Sequence, residues 1–229
     1  MARDAGLDLI PGIEISAVAN AQDVHVLGYF IDTSSATLRA FLERQREERI
    51  RRVTEIRDRL SAIGCPIDVD PILRAAASGH SVGRPHIAVA LVHAGYVRTS
   101  DEAFDRFLES GGPAYVARRG ATPGDAVDIV HDAGGIASLA HPGIRESDDL
   151  IAPLGAAGLD AIEARHSDHD EPTEARYRAL AAELGLLVTG GSDFHADTGH
   201  RISRLGSVTL PPADFEPLWN AAERRRAHE

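Results

Sequence analysis

The chain has 229 residues, of which 43% are hydrophobic and 26% are charged, a composition typical of one folded domain with room for an insertion. Its formal charge of −11 at pH 7 argues against a broad nucleic-acid or membrane surface, although a metal cluster can attract a small phosphate substrate locally. The single cysteine, Cys65, cannot form an internal disulfide, and we find no signal peptide or long apolar span. These features predict a cytoplasmic protein in which Cys65 has a packing role.

The first residues predict an unusual start. Residues 1–7 are typical of the last turn of a helix that ends at a glycine, and a strand over residues 7–16 follows directly. This pattern leads us to expect that structure is missing upstream. The next strand is predicted over residues 24–31, with Glu14 near the exit of the first strand and His25 on the second.

The hydrophobic period changes to about 3.6 residues from Leu38 to Ile63, which predicts a long helix that ends at Gly64. Its opposite face carries seven arginines between Arg44 and Arg59. Glutamates lie four residues before several of them, in the pairs Glu47–Arg51, Glu48–Arg52 and Glu55–Arg59. We interpret this face as solvated and ion-paired; the alternative is a patch for a phosphate backbone.

Short helices are predicted from Pro71, from Pro85 to Gly95 and over residues 101–110, so residues 34–112 form an all-helical insertion in this interpretation. The remaining residues, 1–33 and 113–229, alternate between strand and helix. Later strands are predicted at 136–140, 159–164, 184–188 and 206–210, with helices at 122–133, 147–157, 174–184 and from Pro212. Such alternation is typical of a parallel α/β architecture.

The polar residues of these strands suggest a barrel with a metal site. Candidate ligands lie at or near the C-terminal ends of predicted strands, where the active face of a (β/α) barrel forms, with His25 on a neighbouring strand. In extended chain, Asp193 and His195 would project to the same side. The full set is Glu14, His25, His141, Glu163, Asp193 and His195. Histidines and carboxylates from several strands suit Mn, Zn or Fe(II), whereas each residue alone fits an ordinary core or surface position.

Five motifs in this order resemble the polymerase and histidinol phosphatase (PHP) superfamily. They are Pro11-Gly12-Ile13-Glu14-Ile15-Ser16, His25-Val26-Leu27-Gly28-Tyr29, Gly83-Arg84-Pro85-His86, Ala140-His141-Pro142-Gly143 and Gly191-Ser192-Asp193-Phe194-His195. The helical insertion makes the chain similar to the branch that contains nucleoside 3′,5′-bisphosphate phosphatases and 5′-to-3′ trimming ribonucleases. Together the motifs span nearly the whole chain.

The resemblance implies a distorted (β/α)7 barrel that binds up to three divalent ions and hydrolyses phosphate esters of nucleotides through a metal-bridging hydroxide. Glu14 would be the bridging carboxylate, and His25 and His141 would complete one metal site. Asp193 would bind a second ion and His195 a third.

The resemblance also implies which residues bind the substrate. Arg84 and His86 would bind the phosphate of a nucleoside bisphosphate or short oligonucleotide, and Arg118 and Arg119 are weaker candidates that fit exposed surface positions better. Glu163 would support the ligands or face the substrate, and His166 and His169 would line the nucleoside pocket. The other histidines are interpreted as structural or exposed: His80, His93, His131, His200 and His228.

The chain departs from the family pattern at its start, because no His-x-His strand and no later Asp-His pair precede Glu14. We therefore expect the first one or two βα units of the barrel to be missing and this chain alone to be weak or inactive. One alternative is a non-catalytic descendant that binds a nucleotide or a partner. A further alternative, a metal-dependent amide hydrolase, is disfavoured by the Arg84-Pro85-His86 motif and by the insertion.

Overall fold

The computed structural model describes residues 6–20, 22–145, 147–194 and 205–227. The chain divides into two compact units. The first, here called the sheet unit, contains Met1–Arg39 and Ala121–Glu229, and the second, the helical unit, contains Ala40–Gly120. The sequence predicted the helical insertion at 34–112. The helical unit starts instead at Ala40, so the first turn of the long helix belongs to the sheet unit.

The sheet unit is built on one five-stranded sheet in which the strands follow one another in chain order. The strands are β1 (Gly12–Ala19), β2 (Gln22–Tyr29), β3 (Ile136–Leu139), β4 (Ala161–His166) and β5 (Leu187–Gly191). The pairs β1–β2 and β2–β3 are antiparallel, whereas β3–β4 and β4–β5 are parallel. The sheet is therefore mixed. A short hairpin joins the antiparallel strands β1 and β2, and helices connect the parallel pairs β3–β4 and β4–β5.

The helices alternate with the later strands, as the sequence predicted. They are α1 (Ala36–Ala62), α2 (Asp70–Ala77), α3 (Arg84–His93), α4 (Ser100–Ala103), α5 (Pro123–Asp132), α6 (Pro142–Arg145), α7 (Asp148–Ala156), α8 (Glu171–Leu184) and α9 (Pro212–Arg226). The predicted cap of α5 is confirmed. The Thr122 hydroxyl accepts a hydrogen bond from the Asp125 amide, the Asp125 carboxylate accepts one from the Thr122 amide, and Pro123 occupies the first turn.

The sheet curls strongly around a polar interior. In a flat sheet β3 and β5 would lie roughly 10 Å apart, because β4 separates them. The Ser138 hydroxyl on β3 nevertheless lies 2.7 Å from the Thr189 hydroxyl on β5, and both side chains are buried. Tyr29 on β2 also hydrogen-bonds to Thr189. Glu163 on β4 pairs with Thr189 in register and is 5% exposed, so a carboxyl group lies within this curl.

The helical unit has a hydrophobic core of its own, formed by α1, α2, α3 and the segment after α4. Val53, Ile56 and Leu60 supply the α1 side of this core, which confirms this part of the predicted apolar stripe, whereas Leu42 and Ile63 of the same stripe are exposed. Of the α1 arginines, Arg51 pairs with Glu48 and Glu55, which supports the ion-paired interpretation in part.

Two arginines of α1 contact a loop rather than only the helix surface. Arg52 is buried and donates to the Val116 carbonyl at 2.8 Å, and Arg59 donates to the Tyr115 carbonyl. These contacts attach the segment before Gly120 to the helix.

Two predicted elements in the described parts of the chain were wrong. Residues 206–210 form turns and irregular backbone instead of a strand, and Leu210 packs against the hydrophobic cluster that includes Leu218 of α9. The alternation of polar and apolar side chains over five residues was too short to specify a strand, since none of the described strands pairs with this segment. The helix predicted over 101–110 is interrupted, because α4 gives way to a π-helical turn over Phe104–Leu108. The seven-stranded barrel and its missing first units stay predictions.

Among the described helices, none is both long and apolar enough to cross a membrane.

Candidate metal centre

The hairpin of β1 and β2 brings Glu14 and His25 to one face of the sheet. Ser16 is directly opposite His25, and Glu14 lies two residues before Ser16, so Glu14 and His25 are diagonal neighbours on the same face. The Nδ1 atom of His25 is 2.6 Å from the Oε1 atom of Glu14. Glu14 is the third residue of β1 and not near its exit, contrary to the sequence prediction, because β1 begins at Gly12.

His141 reaches the same place from the end of β3. The amide of Ala140 donates to the His25 carbonyl at 3.0 Å and extends the contact between β2 and β3 by one residue beyond the ladder. The chain then turns at His141, whose φ is +27°, and Pro142 starts α6. The His141 Nε2 atom lies 3.2 Å from His25 Nδ1 and 3.8 Å from Glu14 Oε1.

These three side chains form a suitable ligand set for a divalent ion. One ligand atom from each lies within 4.8 Å of the others, and this group is the one cluster of its kind among the residues that the structure describes. Two imidazole nitrogens 3.2 Å apart beside a carboxylate can share one hydrogen-bonded proton, and the same atoms can bind one metal ion. Hydrogen bonds to His141 and to His25, the nearer of the two, hold the pKa of Glu14 well below its usual value. The carboxylate is therefore ionised and ready to bind a cation.

No family model matches the chain, but comparison with individual proteins is informative. The chain is 32% identical over 231 residues to the 3′,5′-nucleoside bisphosphate phosphatase of Chromobacterium violaceum, covering 96% of this chain and 79% of that protein. It is 33% identical to the 5′-3′ exoribonuclease Rnm of Salmonella typhimurium over 95% of this chain and 75% of that protein. A crystal structure from Bifidobacterium adolescentis, described as a metal-dependent phosphoesterase, superposes with a TM-score of 0.78 at 30% identity. That match covers 96% of this chain and 79% of the other.

This chain belongs to the PHP family of metal-dependent phosphoesterases.

The mixed α/β fold, with its five-stranded sheet, agrees with the PHP structures. The protein is accordingly a member of a family of hydrolytic enzymes. The cluster of Glu14, His25 and His141 lies on three of the five motifs that carried the resemblance, and the metal dependence of the family fits their chemistry.

Two residues of β4 contact His141 of this cluster. The Glu163 carboxylate accepts a hydrogen bond of 2.9 Å from the His141 amide. Burial raises the pKa of Glu163 to about 7, and the neighbouring charges of Asp193 and Glu14 act in the same direction. His166 has a side chain with no exposed surface, and its ring packs edge-on against His141 at a centroid distance of 5.5 Å. Burial, followed by the charge of His141, lowers the pKa of His166 to about 4.

Asp193 lies close to His166, and their nearest atoms, Asp193 Oδ2 and His166 Nε2, are 3.7 Å apart. Asp193 has a φ of +48°, so the backbone turns there and the extended geometry assumed for Asp193 and His195 does not hold at Asp193. His195 itself lies outside the described residues.

His169 continues the row of rings away from the ligand set. Its ring lies 5.4 Å from that of His166 and 5.5 Å from that of Tyr177. Its Nδ1–H donates to the Ala164 carbonyl at 2.9 Å, because a carbonyl oxygen can only accept. A side chain on Gly143 would place its Cβ 3.0 Å from His169 Nε2, so the glycine of the His141-Pro142-Gly143 motif makes room for this ring.

The predicted phosphate-binding residues lie in the helical unit. Arg84 begins α3 and donates to the Leu108 carbonyl at 3.2 Å, within the π-helical turn. Its guanidinium also lies 5.7 Å from the centre of the Phe104 ring and 5.8 Å from that of Tyr115. His86 lines a cavity of about 640 Å³ between α2 and α3, whose wall is mostly apolar and also includes His93.

Several structurally important groups were missed by the sequence reasoning. Tyr29, Ser138 and Thr189 were treated as ordinary strand residues, although they form the polar interior of the curl. Asp160 was also unremarked, yet it accepts hydrogen bonds from three separate elements. A polar residue within an otherwise apolar strand was the available signal for Ser138 and Thr189.

Proposed function

We propose that this protein hydrolyses phosphate esters of nucleotides, with nucleoside 3′,5′-bisphosphates or short oligonucleotides as its substrates. The observation that carries the proposal is the convergence of Glu14 Oε1, His25 Nδ1 and His141 Nε2 within 4.8 Å. The substrate class is supported by the relatives, which include a nucleoside bisphosphate phosphatase and an exoribonuclease.

In this proposal Glu14, His25 and His141 hold one divalent ion, and Asp193 and His195 contribute to binding one or two more. Manganese, zinc or iron suits this mixture of imidazole and carboxylate ligands. Bound ions of this kind lower the pKa of water and neutralise charge on a phosphoryl group, which supplies the nucleophile for in-line attack. The chain then needs no protein nucleophile.

The residues of the chain position these groups. Glu14 carries the negative charge that attracts the cation, and it lies between two imidazoles that keep it ionised. The curled sheet closes one side of the metal centre to solvent, since Glu163 and Thr189 are almost completely buried. Low exposure of this kind strengthens electrostatic interactions with a bound phosphate.

The helical unit would bind the substrate phosphate. Although the whole chain has a net charge of −11, arginines outnumber acidic residues between 40 and 120. Arg84 offers a planar fork for phosphate oxygens, held by the Leu108 carbonyl and two aromatic rings. Arg49 donates to Ser81 and lies close enough to Arg118 for their charges to interact. Burial, followed by the charge of Arg118, lowers the pKa of Arg49. A bound anion would reduce the repulsion between these two positive charges.

The test is phosphate release from a nucleoside 3′,5′-bisphosphate and from a short oligoribonucleotide, measured after EDTA treatment and again after addition of Mn²⁺. We expect turnover that depends on the metal and is lost in Glu14→Gln. Glu216→Gln, which changes an exposed glutamate of α9, is the matched control and should retain the parent rate.

Two results would contradict the proposal. Turnover that survives both EDTA and Glu14→Gln would place the chemistry elsewhere. Tight nucleotide binding without any turnover, in a chain that binds Mn²⁺ normally, would favour the non-catalytic alternative, and hydrolysis of an amide in place of a phosphate ester would favour the amide hydrolase.

A further inference from the structure

Both ligand candidates that follow the ends of parallel strands have left-handed backbone. His141 has a φ of +27° and precedes a proline, and Asp193 has a φ of +48°. Residues other than glycine in this region are uncommon, and such conformations cost on the order of 1–3 kcal/mol each unless neighbouring groups fix them. One strand, β4, supplies a neighbour to each of them: Glu163 to His141 and His166 to Asp193.

Glu163 fixes the backbone of His141. Its Oε2 atom accepts the His141 amide at 2.9 Å in a buried position, and Glu163 is 5% exposed. On the other side of the same turn, the Ala140 amide donates to the His25 carbonyl. Because the turn is held from β2 and from β4, the imidazole of His141 is directed toward Glu14 and His25.

The tautomer of His166 follows from its backbone partner. The Asp168 amide donates to His166 Nδ1 at 3.0 Å, so in the neutral ring the proton is on Nε2. That Nε2–H is buried and makes no hydrogen bond to the described residues. A buried donor of this kind costs about 1–3 kcal/mol if it finds no acceptor. The Oδ2 atom of Asp193, at 3.7 Å, is the carboxylate that it faces.

We propose that Glu163 and His166 are positioning residues for the metal centre: Glu163 holds His141 through its amide, and His166 directs its Nε2–H toward the carboxylate of Asp193, 3.7 Å away. This inference rests on the proposed function, since it assigns His141 and Asp193 as ligands. Hydrogen-bond partners of metal ligands affect metal affinity by about 10–100-fold, so the effect should be on metal binding and not only on turnover.

Matched substitutions separate this role from simple packing. At position 166 the amide nitrogen of Gln replaces Nε2–H, whereas the amide oxygen of Asn replaces the Nδ1 acceptor that Asp168 uses. We expect H166Q to retain Mn²⁺ affinity and H166N to lose it by about 10-fold or more. At position 163, Gln keeps an acceptor for the His141 amide, so E163Q should stay close to the parent chain and E163A should lose about 10–100-fold.

The measurement is the dissociation constant for Mn²⁺ by isothermal titration calorimetry on the full chain, with the melting temperature of each metal-free variant measured in parallel. The expected weaker Mn²⁺ binding of H166N than of H166Q differs from the result of a packing role, in which the two variants would bind Mn²⁺ equally well. Parent affinity in both H166N and E163A would overturn the proposal, as would a loss in E163Q equal to that in E163A, or no Mn²⁺ binding by the parent chain. If E163A does not fold, the H166N and H166Q pair decides the result. Because no turnover is measured, a failure of the proposed substrate leaves this outcome unchanged.

Discussion

Asp160 provides a strong stability prediction, because one carboxylate joins three elements of the sheet unit. Its Oδ2 atom accepts from His131 Nε2 on α5 and from the Ala137 amide on β3, both at 2.8 Å. Its Oδ1 atom accepts from Arg225 on α9 at 2.9 Å, and the same arginine donates to the Gly135 carbonyl at 2.6 Å. The side chain of Asp160 is 17% exposed and that of Arg225 is 28% exposed.

We predict that Asp160→Ala lowers the free energy of unfolding by about 3 kcal/mol. Removing one partner of a buried ion pair costs about 3–5 kcal/mol, whereas a surface pair contributes about 1 kcal/mol or less. The partial exposure of Asp160 and Arg225 places this site between those limits, and the Ala137 amide loses its acceptor as well. For a chain of this size, the corresponding fall in melting temperature is about 6–12 °C.

Urea unfolding followed by fluorescence suits this test, because the single tryptophan, Trp219, lies on the same helix as Arg225. A double-mutant cycle with Arg225→Ala should give a coupling free energy of about 1–2 kcal/mol. Asp128→Ala on the exposed face of α5 is the control, with an expected change within about 0.5 kcal/mol. An Asp160→Ala chain as stable as this control, or strict additivity with Arg225→Ala, would refute the reasoning.

The pH dependence of this contribution has a definite sign. Burial raises the pKa of Asp160, but hydrogen bonds from His131 and Ala137 and the charge of Arg225 outweigh it, so the pKa lies below its usual value of 3.8. A group whose pKa is lower in the folded state contributes stability above its unfolded pKa and loses it as the pH falls toward the folded pKa. The stability difference between the parent and Asp160→Ala should therefore be full at neutral pH and should shrink below pH 3.8.

Three further predictions concern the metal centre and the substrate. Mn²⁺ at about 100 times its dissociation constant should stabilise the parent chain by about 2.7 kcal/mol, measured as a rise in melting temperature. If Glu14 binds the ion, Glu14→Gln should abolish this stabilisation and Glu216→Gln should keep it. Gly143→Ala should lower the melting temperature and weaken Mn²⁺ binding, since its Cβ would lie 3.0 Å from His169 Nε2, and unchanged values for both would show that the ring moves freely. Arg84→Lys should reduce kcat/KM by about 10-fold or more, because lysine lacks the planar fork, whereas Arg119→Lys should change it little, and an unchanged kcat/KM in Arg84→Lys would show that only general charge matters.

The sequence by itself determined the features that depend on neighbouring residues. Thr122, Pro123 and Asp125 specify the start of α5 within four residues, so the helix could be predicted without knowledge of what it packs against. The apolar stripe of α1 likewise predicted which face is buried. The ordered motifs around Glu14, His25 and His141 indicated the family from the sequence alone, because each motif is a short local pattern.

Only the tertiary structure decided the relations between distant residues. Glu14 and His25 became neighbours through the register of the β1–β2 hairpin, and His141 joined them from 116 residues beyond His25. The sequence also did not show that Glu163 accepts the His141 amide, that His166 lies beside Asp193, or that Asp160 joins α5, β3 and α9. At residues 206–210 the sequence predicted a strand that does not form, since an alternating segment forms a strand only where another strand pairs with it. Pairing, register and burial are properties of the folded chain, and no local pattern contains them.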